Sequence, residues 1–156
     1  MDTSSYRERV DIERLNADLS RIDVESDEFD VVWGGTDQDR TLGNVYLAAT
    51  VVDGSGLTVE AIENLADRFR AILFERAREY DASTTPIGYL VLCWTDPSEN
   101  VIEEARTYTV AERRTNVFPL IYDVDEETVH SHEVPRLKGR GIYQRQVEDV
   151  ERFFEK

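Results

Sequence analysis

Cysteine is nearly absent from this chain: Cys93 is the only one in 156 residues, which excludes an internal disulfide and a thiolate metal cluster. It follows the apolar residues Leu90, Val91 and Leu92, where a buried, inert thiol is expected rather than a nucleophile. Long hydrophobic runs are missing as well. The purely apolar stretches span only a few residues, and the first residues, MDTSSYRERVDIERL, lack both a spanning segment and the apolar centre of a signal peptide. A soluble cytoplasmic protein with no membrane partner is therefore expected. Lysine is scarce too: of 18 basic residues only Lys138 and Lys156 are lysines, and the rest are arginine.

Acid, by contrast, is abundant. The 33 aspartates and glutamates give a formal net charge of −15. Such a surface resembles that of halophile-type acidic proteins, in which concentrated salt screens the self-repulsion. It opposes contact with nucleic acid at ordinary ionic strength, so a nucleic-acid partner is expected only at high salt. Hydrophobic residues still make up 40% of the chain. They recur periodically, which predicts one folded domain over 1–156 rather than disorder.

The periodicities order the chain as α, β, β, α, β, α, β, β, α. Val10, Ile12, Leu15, Leu19 and Ile22 predict an amphipathic helix over about Tyr6 to Ile22. Phe29 to Trp33 and Asn44 to Val52 read as strands joined by a turn-rich loop, Gly34 to Asp39. The clearest helix opens at Thr58 and ends near Asp81, with Ile62, Leu65, Ala66, Phe69, Ile72 and Leu73 on its stripe. Ile87 to Trp94 is apolar enough for burial on both faces. Asp96 as cap and Pro97 at the first helical position open a helix through about Arg113. Val117 to Tyr122 pairs with Thr128 to Glu133 in a hairpin, and a helix over Ile142 to Phe154 closes the chain. Right-handed β-α-β crossovers then place parallel strands in one mixed sheet of about five strands, flanked by helices in an α/β fold.

A wide hairpin, a helix, a buried strand ending at Thr95 and Asp96, a helix carrying Ser98, Glu99, Asn100, Val101, Ile102, Glu103, Glu104 and Ala105, and a strand Phe118 to Ile121 together resemble the restriction-endonuclease-like, PD-(D/E)xK, superfamily over about residues 6–125. In that family an aspartate and an acid-x-lysine triplet bind a divalent metal for phosphodiester hydrolysis. Here Ala48, Ala49 and Thr50 take the place of the acid and lysine, while Asp37 or Asp39 stands for the first aspartate and Asp53 lies past the strand. The resemblance thus implies a degenerate site without hydrolysis.

Three features invite chemistry. Asp53, Gly54, Ser55 and Gly56 join a strand to a helix, where unpaired N–H groups can cradle an anion, although the same residues make an ordinary turn. Asp96 ends the next strand and would converge with Asp53 on a metal, or simply cap its helix. His130 and His132 sit two apart near several acids, as either metal ligands or solvent-facing polar residues. The third feature is a departure from the chain's own charge. Between Val134 and Val147, Arg136, Lys138, Arg140 and Arg145 occur without one carboxylate, and Arg113 and Arg114 precede the hairpin leading into them. This is either a contact patch for a phosphate or an acidic partner, or a set of ion pairs with the protein's own acids.

The reading carried forward is a non-catalytic binding or assembly module. Its contact residues are Arg113, Arg114, Arg136, Lys138, Arg140 and Arg145, it needs no cofactor, and it meets a protein partner or a second copy of itself. The alternative is a metal-dependent phosphodiester hydrolase, a nuclease, with Asp37, Asp39 and Asp53, or the histidines, as ligands.

Overall fold

The computed structural model describes residues 2–15, 19–24, 28–112, 115–134 and 140–155. In chain order the elements are α1 (Thr3–Leu15), β1 (Ser20–Ile22), β2 (Val32–Asp39), β3 (Gly43–Asp53), α2 (Val59–Ala77), β4 (Thr85–Trp94), α3 (Glu99–Thr107), β5 (Val110–Glu112), β6 (Thr115–Asp123), β7 (Thr128–His130) and α4 (Arg140–Phe153). The strands form a mixed seven-stranded sheet in the order β1-β2-β3-β4-β6-β5. β1, β2 and β3 form an antiparallel meander, whereas β3, β4 and β6 run parallel through the crossovers of α2 and α3. β5 and β7 both pair antiparallel with β6 and share the edge that β4 leaves free. The expected α/β architecture with a mixed sheet flanked by helices is what forms.

Alternation along the central strands divides the core into two layers. Val45, Leu47, Ala49 and Val51 of β3, with Ile87, Tyr89, Val91 and Cys93 of β4, face α1 and α4. Tyr46, Ala48 and Val52, with Leu90 and Leu92, face α2 and α3. β4 is buried along both faces, as its continuous hydrophobicity predicts. At its centre, Gly88 lets α2 sit flush on the sheet: a Cβ there would lie 2.9 Å from a Leu73 methyl and 3.2 Å from the Phe69 ring.

Local signals explain where elements start and where expectation and structure part. Thr58 caps α2 by accepting the Ala61 N–H at 3.0 Å. The cap of α3 is Ser98, not Asp96, which instead turns the chain with a φ of +50°. α3 ends at Thr107 because Tyr108 is already extended and leads into β5, an element not expected from sequence. The expected helix over Tyr6 to Ile22 stops by Leu15, and Ser20–Ile22 is instead the edge strand β1. The expected loop Gly34 to Asp39 makes up all but the first two residues of β2, paired residue by residue with Gly43 to Ala48. Among the described residues, no helix is long and apolar enough to cross a membrane.

Candidate functional site

The centre of the site is a charge buried by α4. Arg145 projects from that helix toward the sheet and is only 5% exposed. Its Nε donates to both oxygens of Asp149, one helical turn on, at 3.1 and 3.0 Å. Its Nη2 reaches Asp37 at 2.6 Å, and its Nη1 lies 3.6 Å from Asp39 and 3.4 Å from the Gln38 carbonyl. Asp37 and Asp39 alternate along β2 and so present their side chains to the same face as Val45 and Leu47, under α4. Two further contacts order the cluster. The Tyr89 hydroxyl, buried in β4, donates to Asp149 at 2.5 Å, and Asp39 accepts the N–H groups of Thr41 and Leu42 in the β2–β3 turn at 2.8 and 2.9 Å.

Burial and pairing compete at each carboxylate, and the outcomes differ. At Asp37 burial pushes the carboxyl up, but the hydrogen bonds from Arg145 and the Gln38 N–H and the charges of Arg145 and Arg152 outweigh it and hold the group below its ordinary value. Asp39 is also held low: burial is opposed by the Leu42 and Thr41 N–H groups and by Arg145. Asp149, 1% exposed, ends up above its ordinary value because burial dominates over Arg145 and Tyr89. Burial, together with the neighbouring Asp149 charge, drives the Tyr89 hydroxyl well up, so it serves as a donor and not as a base. Arg145 is held charged by its carboxylates. A guanidinium thus fills the space between three carboxylates that a metal ion would otherwise need. A polar hollow of about 360 Å³ opens beside it, lined by Asp37, Asp39, Gln144, Glu148 and Arg152 among others.

This geometry takes Arg145 out of the expected contact patch: its donors are turned inward. Arg113, Arg114, Arg136 and Lys138 lie outside the described residues, and Arg140 begins α4. The structure also separates the acids of the hydrolase reading. Asp37 pairs with Val45, and Asp53 ends the same strand eight residues on, roughly 26 Å away at about 3.3 Å per residue. They cannot share an ion. Ala48 and Ala49 are buried on opposite faces of the sheet, and Thr50 donates its hydroxyl to the Val31 carbonyl at 2.8 Å, a structural contact.

The histidines part as well. His130 pairs with Ile121 in β7 and so shares the α2/α3 face of its partner. The His132 ring packs on Phe118 and Tyr143, on the α4 side, with Nδ1 2.7 Å from the Glu133 carbonyl. β7 ends at His130, so the two-residue alternation that would put both rings on one face does not reach His132. Among the described residues no three His, Cys, Asp or Glu side chains are grouped to hold a metal.

At the far end of the sheet, a crevice of about 270 Å³ is lined by Asp2, Asp53, Ser55, Cys93 and Thr95. The Ser55 N–H there is taken by the Asp53 carboxylate at 3.1 Å, which is the geometry of the ordinary turn and not of an anion cradle. Burial pushes the Cys93 thiol up to about 11, so it remains protonated and inert.

Sequence reasoning offered ion pairs with the protein's own acids as one reading of Arg145 but named none of its partners, although one signal was available. Arg145 and Asp149 are spaced one turn apart and share a helix face with Ile142, Val150 and Phe153, so polar residues interrupt an apolar stripe. No family model matches the chain, and no curated protein or solved structure matches it.

Proposed function

We propose that this chain is a non-catalytic binding or assembly module of a halophile-type cytoplasmic protein, with a degenerate restriction-endonuclease-like fold, that meets its partner through Arg113, Arg114, Arg136, Lys138 and Arg140. The observation that carries this reading is the convergence of the chain around both basic runs. Glu112 and Thr115 flank the first at the start of β6. Around the second, Glu133 donates to the Arg106 carbonyl at the end of α3, and Gly141 lies against Thr41 and Leu42 of the β2–β3 turn. All of these sit at the end of the sheet where the parallel strands begin. In the sequence the two basic runs interrupt a chain of net charge −15, and the described residues that flank them lie at one end of the sheet, a setting that would suit an acidic protein surface, or nucleic acid once salt is high. The engagement of Asp37 and Asp39 by Arg145 supports a module without hydrolysis.

The test is charge reversal by Arg136→Glu combined with Arg140→Glu. The variant should keep the wild-type circular dichroism spectrum in high salt and lose retention of whatever co-purifies with the protein under those conditions. Retention as before, or a variant that unfolds, contradicts the reading. So does cleavage of DNA or RNA in magnesium or manganese that Asp53→Ala abolishes. Because salt screens the carboxylates, the unfolding midpoint of the wild-type protein should also climb from dilute to molar potassium chloride, and a flat trend would remove the halophile-type part of the reading.

A further inference from the structure

A second cleft, formed by described residues of β2, β3 and the loop after α2, has the chemistry of a sugar site. β3 begins at Gly43, but β4 begins at Thr85, opposite Val45, so the end of the β2–β3 hairpin projects past its neighbour. The loop of residues 78–84 after α2 folds across this step and leaves a cleft of about 420 Å³.

One wall is an aromatic platform. Tyr80 is 43% exposed, the exposed large apolar side chain among the described residues. Its ring stacks on Tyr46 with centroids 5.0 Å apart and planes at 28°. Tyr46 is itself fixed. It is 2% exposed, and its hydroxyl occupies space that Gly34 leaves open, since a Cβ there would lie 2.5 Å from it. Tyr80 is therefore held flat on a rigid support.

The opposite wall is polar and carries mostly uncharged groups. Thr36, Gln38 and Asn44 share the sheet face of Tyr46, as paired or alternating positions of β2 and β3. Gln38 Nε2 donates to Asn44 Oδ1 at 3.4 Å, a contact that uses neither the Gln38 oxygen nor the Asn44 NH₂, and both residues line the cleft. Thr84 adds a hydroxyl. Asp81 adds a carboxylate with one oxygen accepting the Ser83 N–H and hydroxyl at 2.8 and 2.9 Å.

We propose that this cleft binds a saccharide through one pyranose ring, its C–H face laid on Tyr80 and its hydroxyls met by Gln38, Asn44, Thr84 and Asp81. The alternatives fit less well. Among the described residues no basic side chain lines the cleft, so none of them offers an anion a counter-charge. For an organic cation the acids are poorly placed, since the Asp37 carboxylate belongs to the other face of the sheet, in the grip of Arg145, and Asp81 is already half engaged. Hydroxyl groups, which donate and accept at once, match walls of amides and hydroxyls.

The test is saturation-transfer NMR on the intact protein in high salt, with methyl β-glucoside, N-acetylglucosamine and maltose as probes, and spermidine and inorganic phosphate beside them. At least one sugar should receive saturation at its ring C–H protons. Tyr80→Ala should weaken that binding about tenfold, with an unchanged circular dichroism spectrum because Tyr80 is partly exposed. Tyr80→Trp should retain it, and so should the Arg136→Glu, Arg140→Glu variant, which separates this site from the basic segments. The proposal is overturned if no sugar binds the wild-type protein, if Tyr80→Ala binds as well as wild type, or if only spermidine or phosphate binds.

Discussion

On the α1/α4 face of the sheet, polar groups are buried in pairs, whereas on the α2/α3 face hydrocarbon dominates and one acid is left poorly served. The first face holds Arg145 among three carboxylates, the Tyr89 hydroxyl on Asp149, and Tyr6, stacked on Tyr122 at 3.8 Å with its hydroxyl on the Phe154 carbonyl at 2.9 Å. The second packs Ile62, Ala66, Phe69 and Leu73 of α2 and Val101 and Ala105 of α3 onto Leu90, Leu92 and Val117. Its exception is Glu104, which meets Glu63 across the two helices and has a buried Oε2 without a partner among the described residues. Burial, helped by the hydrogen bond and charge of Glu63, pushes the Glu104 carboxyl up to about 7. A strongly acidic chain thus holds its buried acids differently on the two faces, by a guanidinium on one and, on the other, beside a second carboxyl that raises the first.

The largest effect should come from breaking the first arrangement. Arg145→Met leaves Asp37, Asp39 and Asp149 together without their cation, an uncompensated buried charge expected to cost about 3–5 kcal/mol. Against a typical domain stability of about 5–15 kcal/mol, the midpoint of denaturant unfolding should fall far, and α4 should loosen first. A loss no greater than that of an exposed arginine would mean that the cluster does not fasten α4.

The second arrangement gives a smaller change of opposite sign. Because the folded-state value of Glu104 lies above its ordinary 4.5, its contribution is fully present below about pH 4.5 and is lost as pH rises through about 7. Lowering the pH from 8 to 5 should therefore strengthen the contact of α2 with α3. Glu104→Gln should stabilise the protein at pH 8 by about 1 kcal/mol, leave it nearly unchanged at pH 5, and flatten the slope between them. Asp37 and Asp39, held low, respond in the other direction: their contribution is present above about 3.8 and is lost as pH falls through their depressed values, while the raised Asp149 partly opposes them. Unfolding midpoints from pH 8 down to below about 3.8 read both faces in one experiment. An unaltered slope in Glu104→Gln would show that the Glu63 contact does not hold a proton.

The same contrast decides what could be read from sequence. The α2/α3 face is carried by periodic apolar residues, so α2, β3 and β4 were legible within a few positions, and with them the parallel core of the sheet. β2 was mostly hidden because all of it past Trp33, Gly34 to Asp39, has turn-forming composition. Pairing with β3 holds it extended, and Gly34 is there to admit the Tyr46 hydroxyl. β1 and β5 span three residues each, too short for any alternation to register, whereas β7, equally short, was expected as the start of a longer strand, Thr128 to Glu133. The Arg145 cluster was illegible for a different reason: Arg145 and Asp37 stand 108 positions apart, and only the fold brings them together. Read locally, Arg145 belonged to a basic run. In space, it belongs to the core.

The most direct test of that assignment is a double-mutant cycle in equilibrium unfolding between Arg145→Met and Asp37→Asn, measured in high salt to suppress long-range charge effects. If Arg145 is the internal counter-ion of these carboxylates, the two changes should be strongly non-additive, with a coupling of about 1.5–3 kcal/mol and Asp37→Asn relieving part of the Arg145→Met defect. Additive effects, with a coupling within about 0.5 kcal/mol of zero, would contradict it and return Arg145 to the surface patch.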